Sequence, residues 1–316
     1  MATNKDPLIS RRDLLKASTV AAAGAVLPGS MKGEVRPQGN AQDTTDMTGS
    51  KYSGIQIEQK GQVMTVRLVN THGSATVDVS WELGEFFSAL RGDNSVRVVV
   101  ITGAEDGVFG SLHNWHAPDG RQGVVDPAAG YKTFTGIVRY HEAMVALEKP
   151  IVARVNGHAI GTGQSIMFAS DIIVAREDAI IADHHMGPVP IPGAPPVGSP
   201  NGAVPGDGGV AWAPLYMSPA KAKEYLMLSK PYTAKEFEQM GIINYAVPLA
   251  DLDSKVNDIV ERLLQRSAYA LAWTKRVINR RAEEQLNQSL DAAAAYCWIN
   301  RLQLLQTGFK DPLTLG

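Results

Sequence analysis

An apolar, largely β-branched run that ends in glycines does most to restrict the fold of this chain. Lys149-Pro150 leads into Ile151-Val152-Ala153-Arg154-Val155, and a glycine-rich stretch follows at residues 157–163. Pro150 stops any preceding helix, because the residue before a proline is pushed out of the α region. A short apolar run without alternation suits a strand covered on both faces. The glycine-rich stretch reads as a turn into a helix over residues 164–169, and a strand that turns into a helix is the repeating unit of a layered α/β domain.

The neighbouring segments extend that pattern. Residues 96–101, closed by Thr102-Gly103, and residues 171–175 read as two further buried strands. Residues 55–59 and 63–68 alternate apolar and polar positions around Lys60-Gly61-Gln62, which predicts a hairpin entering a half-buried sheet. Helical spacing covers residues 81–90 and 131–147. From Pro219 onward the pattern is helical, with breaks at Met240-Gly241 and Tyr245-Ala246-Val247-Pro248.

With 316 residues the chain can form one large domain or two modest ones. A formal charge of -2, without Lys/Arg runs, excludes a strongly basic nucleic-acid binder, so no nucleic-acid partner is expected. One cysteine, Cys297, permits neither an internal disulfide nor a cysteine zinc site, and its apolar surroundings read as those of a packed thiol. No apolar run reaches the length of a membrane span.

The N-terminus reads as an address. Ser10-Arg11-Arg12-Asp13-Leu14-Leu15-Lys16 precedes a short Ala-rich apolar segment that ends at Leu27. This order resembles a twin-arginine export signal, with Leu14 where Phe is commoner. The resemblance implies delivery to the periplasm by the twin-arginine machinery, a route for folded proteins. Ala23-Gly24-Ala25 and Gly39-Asn40-Ala41 both offer small-residue cleavage sites. Residues 1–41 are therefore read as signal and linker, 51–250 as the core, and 251–316 as a C-terminal helical region.

The block from Lys149 through Asn156-Gly157-His158-Ala159-Ile160-Gly161-Thr162-Gly163, with Ser170-Asp171-Ile172-Ile173-Val174-Ala175 after it, resembles the signature of the enoyl-CoA hydratase/isomerase (crotonase) superfamily. Val99-Val100-Ile101-Thr102-Gly103 upstream and Met240-Gly241-Ile242-Ile243-Asn244 downstream extend the likeness in order. It implies a crotonase-like ββα spiral core with a C-terminal helical trimerisation region, a homotrimer or hexamer, and no cofactor. It also implies an oxyanion site made of two backbone N–H groups, which position assigns to Ser111 and Thr162. An amide at a helix start lacks an intrahelical partner and sits in the positive end of the helix dipole, so the physics agrees.

The likeness breaks at the acid-base residues. Two glutamates serve hydration in that family, and their positions here read Ser165 and His185. A serine hydroxyl holds no proton in equilibrium near neutral pH, so the two-carboxylate mechanism is not available. Farther on, Val204-Pro205-Gly206-Asp207-Gly208 with Trp212 resembles the 6-oxocamphor hydrolase branch, whose members cleave a carbon-carbon bond of a cyclic β-diketone with a His-Asp pair. That assigns His185 and Asp207 as catalytic, with His184 as the alternative base. His113, Trp81 and Trp212 are expected to line the pocket. His113 and His116 have no nearby carboxylate to complete a ligand set, and no metal site is expected.

Three functions fit this reading. The first is a hydrolase or lyase that cleaves a β-diketone-like carbonyl substrate through an enolate without CoA. The second is an enoyl-CoA hydratase/isomerase-type enzyme with a rebuilt acid-base set, and the third a non-catalytic binding protein of the same fold.

Overall fold

The computed structural model describes residues 44–46, 52–69, 79–110, 125–198 and 202–308, all within one compact unit over residues 42–316. The export signal, Ser111, His113 and His116 lie outside the described residues.

In chain order the first elements are β1 (Thr44–Asp46), β2 (Ile55–Lys60), β3 (Val63–Leu68), α1 (Val79–Leu90), β4 (Val98–Gly103) and β5 (Gly107–Val108). Next come α2 (Pro127–Ala146), β6 (Ile151–Val155), β7 (Gly157–Ile160), α3 (Thr162–Phe168), β8 (Ile172–Arg176) and β9 (Ile180–Ala182). A hairpin of β10 (Val189–Ile191) and β11 (Ala194–Val197) precedes α4 (Gly209–Tyr216) and α5 (Pro219–Met227). The chain then runs through β12 (Tyr232–Thr233), α6 (Ala234–Gln239), β13 (Tyr245–Val247), α7 (Leu249–Leu264), α8 (Ala268–Ile278) and α9 (Arg280–Gln306).

The seven-stranded sheet has the order β1-β2-β3-β4-β6-β8-β13. β1, β2 and β3 pair antiparallel, and from β3 to β13 every pairing is parallel. Side chains alternate across β4 and so divide between two cores. Val99 and Ile101 enter the main one, while Val98 and Val100 join Val152 and Val174 under Leu252, Val256, Ile259 and Val260 of α7. That α7 spacing makes the apolar stripe a helix needs to cover a sheet. β4 is buried at every position for this reason.

A second sheet, ordered β12-β9-β7-β5, is the part that sequence reading misses. Residues 157–160 are a strand rather than the first half of a turn: β7 pairs parallel with β5 on one side and β9 on the other. Because β5, β7 and β9 run the same way, their C-terminal ends lie at one edge. That edge receives the chain leading to Gly110, the start of α3, and Asp183-His184-His185.

Candidate active site

The start of α3 is shaped by close backbone approach. Gly161 precedes the helix at φ +58°, and a Cβ there would lie 2.1 Å from His184 Cε1. A Cβ on Gly163 would meet the Phe109 carbonyl oxygen at 2.3 Å. The first amide of α3, that of Thr162, therefore stands where three strand ends converge, and it has no partner within its own helix.

His184 and His185 follow β9, with ring centroids 4.9 Å apart. His185 is buried, and its Nδ1 lies 2.9 Å from Asp183 Oδ1, which also accepts the His185 backbone N–H at 2.9 Å. The other oxygen of Asp183 accepts Gln164 Nε2 at 2.8 Å, and Gln164 Oε1 in turn accepts the Tyr225 hydroxyl. His185 Nε2 faces Asp207 Oδ2 at 3.9 Å and Arg301 Nη2 at 3.3 Å. Asp207 accepts the Thr162 hydroxyl at 3.2 Å and the Ser165 hydroxyl at 3.4 Å, while its backbone carbonyl accepts the Tyr140 hydroxyl at 3.2 Å.

Thus His184, His185, Asp207 and Thr162 do come together, but the roles of the carboxylates differ from expectation. The residue hydrogen-bonded to the imidazole is Asp183, two positions before it, while Asp207 faces the opposite ring nitrogen at a longer distance than Arg301. Trp81 lies at the α1–α2 contact, with Arg139 Cζ 4.3 Å above its ring. Trp212 belongs to the main core, its ring 6.0 Å from that of His141.

Sequence reading also misses Arg301. It projects from α9, far along the chain, and no local motif marks it. Cys297, one turn earlier, is buried as expected of a packed thiol, yet it also faces His185. Burial would raise this thiol, but Arg301 and His185 outweigh that and hold it below its ordinary value.

The three titrating groups are pushed apart. Burial alone would raise Asp183, but the charge and hydrogen bonds of His185 more than offset it, and its carboxyl stays below the usual range. Burial alone would lower His185, and the adjacent Asp183 and Asp207 reverse this to leave it well above an ordinary imidazole. Asp207 is raised, chiefly by burial, and the cations His185 and Arg301 offset only part of it. Asp183 is therefore the fixed anion, while a proton can be held between His185 and Asp207.

Among the described residues, Asp183, His185 and Asp207 have donor atoms within 4.8 Å of one another, the spacing a metal ion would need. The donor chemistry argues otherwise. Both ring nitrogens of His185 are engaged, one by a carboxylate and the other by a guanidinium that already supplies the positive charge.

A parallel sheet whose strand ends gather a helix start, an imidazole and two carboxylates is an α/β arrangement able to hold and move a proton beside an unpaired helix-start amide. Residues 58–297 match the enoyl-CoA hydratase/isomerase family, and the chain belongs to that family. Residues 8–28 match the twin-arginine translocation signal sequence. Carnitinyl-CoA dehydratase from Escherichia coli O157:H7 is 28% identical over 237 residues, covering 74% of this chain and 84% of that protein. An enoyl-CoA hydratase/isomerase structure from Mycobacterium paratuberculosis aligns with a TM-score of 0.68 at 26% identity, covering 80% of this chain and 95% of the other. A β-diketone hydrolase from the cyanobacterium Anabaena, bound to (S)-3-oxocyclohexyl acetic acid, shares the fold with a TM-score of 0.67 at 21% identity, covering 81% and 96%.

Proposed function

We propose that this exported member of the family hydrolyses a carbon-carbon bond in a β-diketone or related dicarbonyl compound, independently of CoA. One observation carries the reading: a buried imidazole stands where a hydratase needs a glutamate, pinned by Asp183 on Nδ1 and facing Asp207 across Nε2. In its neutral form His185 takes a proton from water through Nε2, and the hydroxide adds to one carbonyl carbon. The tetrahedral adduct expels the neighbouring carbon as an enolate, which leaves a carboxylic acid on the first fragment. The amide of Thr162, with that of Ser111, holds the enolate oxygen until the carbon regains a proton from the imidazolium. Each oxyanion donor of this kind contributes about 3 kcal/mol to lowering the barrier.

The twin-arginine signal at residues 8–28 supports a substrate other than a CoA thioester, since export to the periplasm removes an enzyme from the cytosolic CoA pool. The test is turnover of cyclic and linear 1,3-diketones by the purified mature protein. His185→Ala and Asp207→Asn each lower kcat by about 100-fold or more while the fold is kept. Full activity in both variants would overturn the assignment.

The similarity to carnitinyl-CoA dehydratase favours a second reading, a CoA-thioester enzyme with a rebuilt acid-base set. On that reading an acyl-CoA at about 100 times its Kd stabilises the protein by about 2.7 kcal/mol and raises its Tm. On the first reading acyl-CoA produces no such shift.

A further inference from the structure

The two partners of His185 Nε2 make opposite demands on it. Nδ1 faces a carboxylate oxygen at 2.9 Å and so carries a hydrogen. Arg301 Nη2, 3.3 Å from Nε2, has only hydrogens to give, because a guanidinium does not deprotonate in proteins. That contact exists only while Nε2 is bare. Asp207 Oδ2, 3.9 Å from the same nitrogen, is placed instead for the imidazolium. One nitrogen thus has a donor waiting for the neutral ring and an acceptor waiting for the charged one.

We propose that Arg301 is a positioning residue for the reaction: it holds His185 with Nδ1 protonated and Nε2 bare, and yields that nitrogen to Asp207 when the ring takes a proton. This rests on the hydrolase reading above and adds what keeps its base in the competent form.

The surroundings fit that role. Asp183 and His184 face the ring from the end of β9, and Asp207 from the chain before α4. From α9 come Cys297 and Arg301. The α3 hydroxyls of Thr162 and Ser165 and the α2 hydroxyl of Tyr140 reach it only through Asp207, and Tyr225 of α5 acts through Gln164 on Asp183. In this set Arg301 alone is a permanent cation opposing two carboxylates.

The helix that bears Arg301 is also clamped to the segment that bears Asp207. Asn300 Oδ1 accepts the Val204 N–H at 3.1 Å, Leu304 packs on Ala203, and Cys297 leaves no room for a side chain at Gly206. Arg301 and Asp207 are therefore held as one unit on either side of Nε2, and a small guanidinium movement transfers the contact.

The experiment reads the ring directly and needs no substrate. Protein labelled with 15N-histidine is followed by long-range 1H–15N correlation against pH, with His185 assigned among the seven histidines by loss of its signals in His185→Gln. Neutral His185 in the unaltered protein shows a protonated Nδ1 and a bare Nε2. In Arg301→Met the titration midpoint rises by roughly one unit or more, because the carboxylates then act unopposed. In Arg301→Lys, which keeps a cationic donor, it stays near that of the unaltered protein. With a diketone substrate, the acid limb of kcat/KM in Arg301→Met moves up by the same interval.

A neutral ring bearing its hydrogen on Nε2, or an unmoved midpoint in Arg301→Met, would overturn the proposal. If Arg301→Met does not fold, the tautomer of the unaltered protein and the Lys variant decide. Correct ring behaviour without turnover of any diketone counts against the hydrolase reading instead, so the two failures are separable.

Discussion

His141 is fully buried on α2, with Nδ1 2.7 Å from the Ile137 carbonyl oxygen and its ring stacked on Tyr140 at 4.0 Å. The carbonyl accepts, so the hydrogen is on Nδ1, and Nε2 meets no hydrogen-bond partner among the described residues. Burial lowers its pKa from 6.5 to about 4. The unfolded chain therefore takes up a proton below pH 6.5 that the folded one refuses until about pH 4, so stability is present above that window and lost as pH falls through it. The loss amounts to about 3 kcal/mol. His141→Gln removes this dependence, and urea denaturation at pH 7 and pH 4.5 for both proteins checks it: an unchanged acid loss would show that other groups cause it. At the site itself, Asp183→Asn keeps the shape beside His185 but removes the charge that supports the imidazolium, and kcat falls by about 100-fold or more on any substrate that is turned over. The clustering of His185, Asp207 and Thr162 was legible because motif positions mark them. Asp183 and Arg301 were not, because a carboxylate two residues before a histidine and an arginine on a remote helix gain meaning only from distance.

Among the elements, the turn before α3 leaves least freedom. Gly161→Ala places a side chain both at positive φ and inside the His184 ring, and it costs about 2 kcal/mol or more with loss of turnover. Chemical denaturation reads the first effect and steady-state kinetics the second. The anchoring of α8 is testable separately. Lys275 Nζ meets Asp171 Oδ2 at 2.7 Å, and that oxygen also accepts the Ile151 N–H at 2.7 Å. Lys275→Met strands a partly buried carboxylate and destabilises by about 2 kcal/mol; a change below about 0.5 kcal/mol would refute the role given to the pair. The long strands β4 and β6 were legible from their apolar runs. The β5-β7-β9-β12 sheet was not, since strands of two to four residues are too short for any periodicity to show, and Gly157 reads as a turn residue.

Over the whole molecule, the layered α/β architecture and the C-terminal helices follow the sequence reading. Tyr269, Trp273 and Val277 recur every four residues along α8 at 74%, 65% and 73% exposure, an apolar stripe facing solvent. Burial against copies of the same face is the expected outcome. Light scattering on the mature protein gives a trimer or hexamer, and Trp273→Glu with Val277→Glu gives a monomer; a monomer in the unaltered protein would reject the stripe as an interface. The reach of α9 to His185 bears on how the enzyme is made. Arg301 and Cys297 leave the ribosome after every strand that meets them at the site. A nascent chain therefore lacks the cation that faces His185 until its last described helix is free. Translocation before that point would strand Asp183 and Asp207 without their permanent counter-charge, so a chain bearing the twin-arginine signal at residues 8–28 needs its last described helix in place before it is exported.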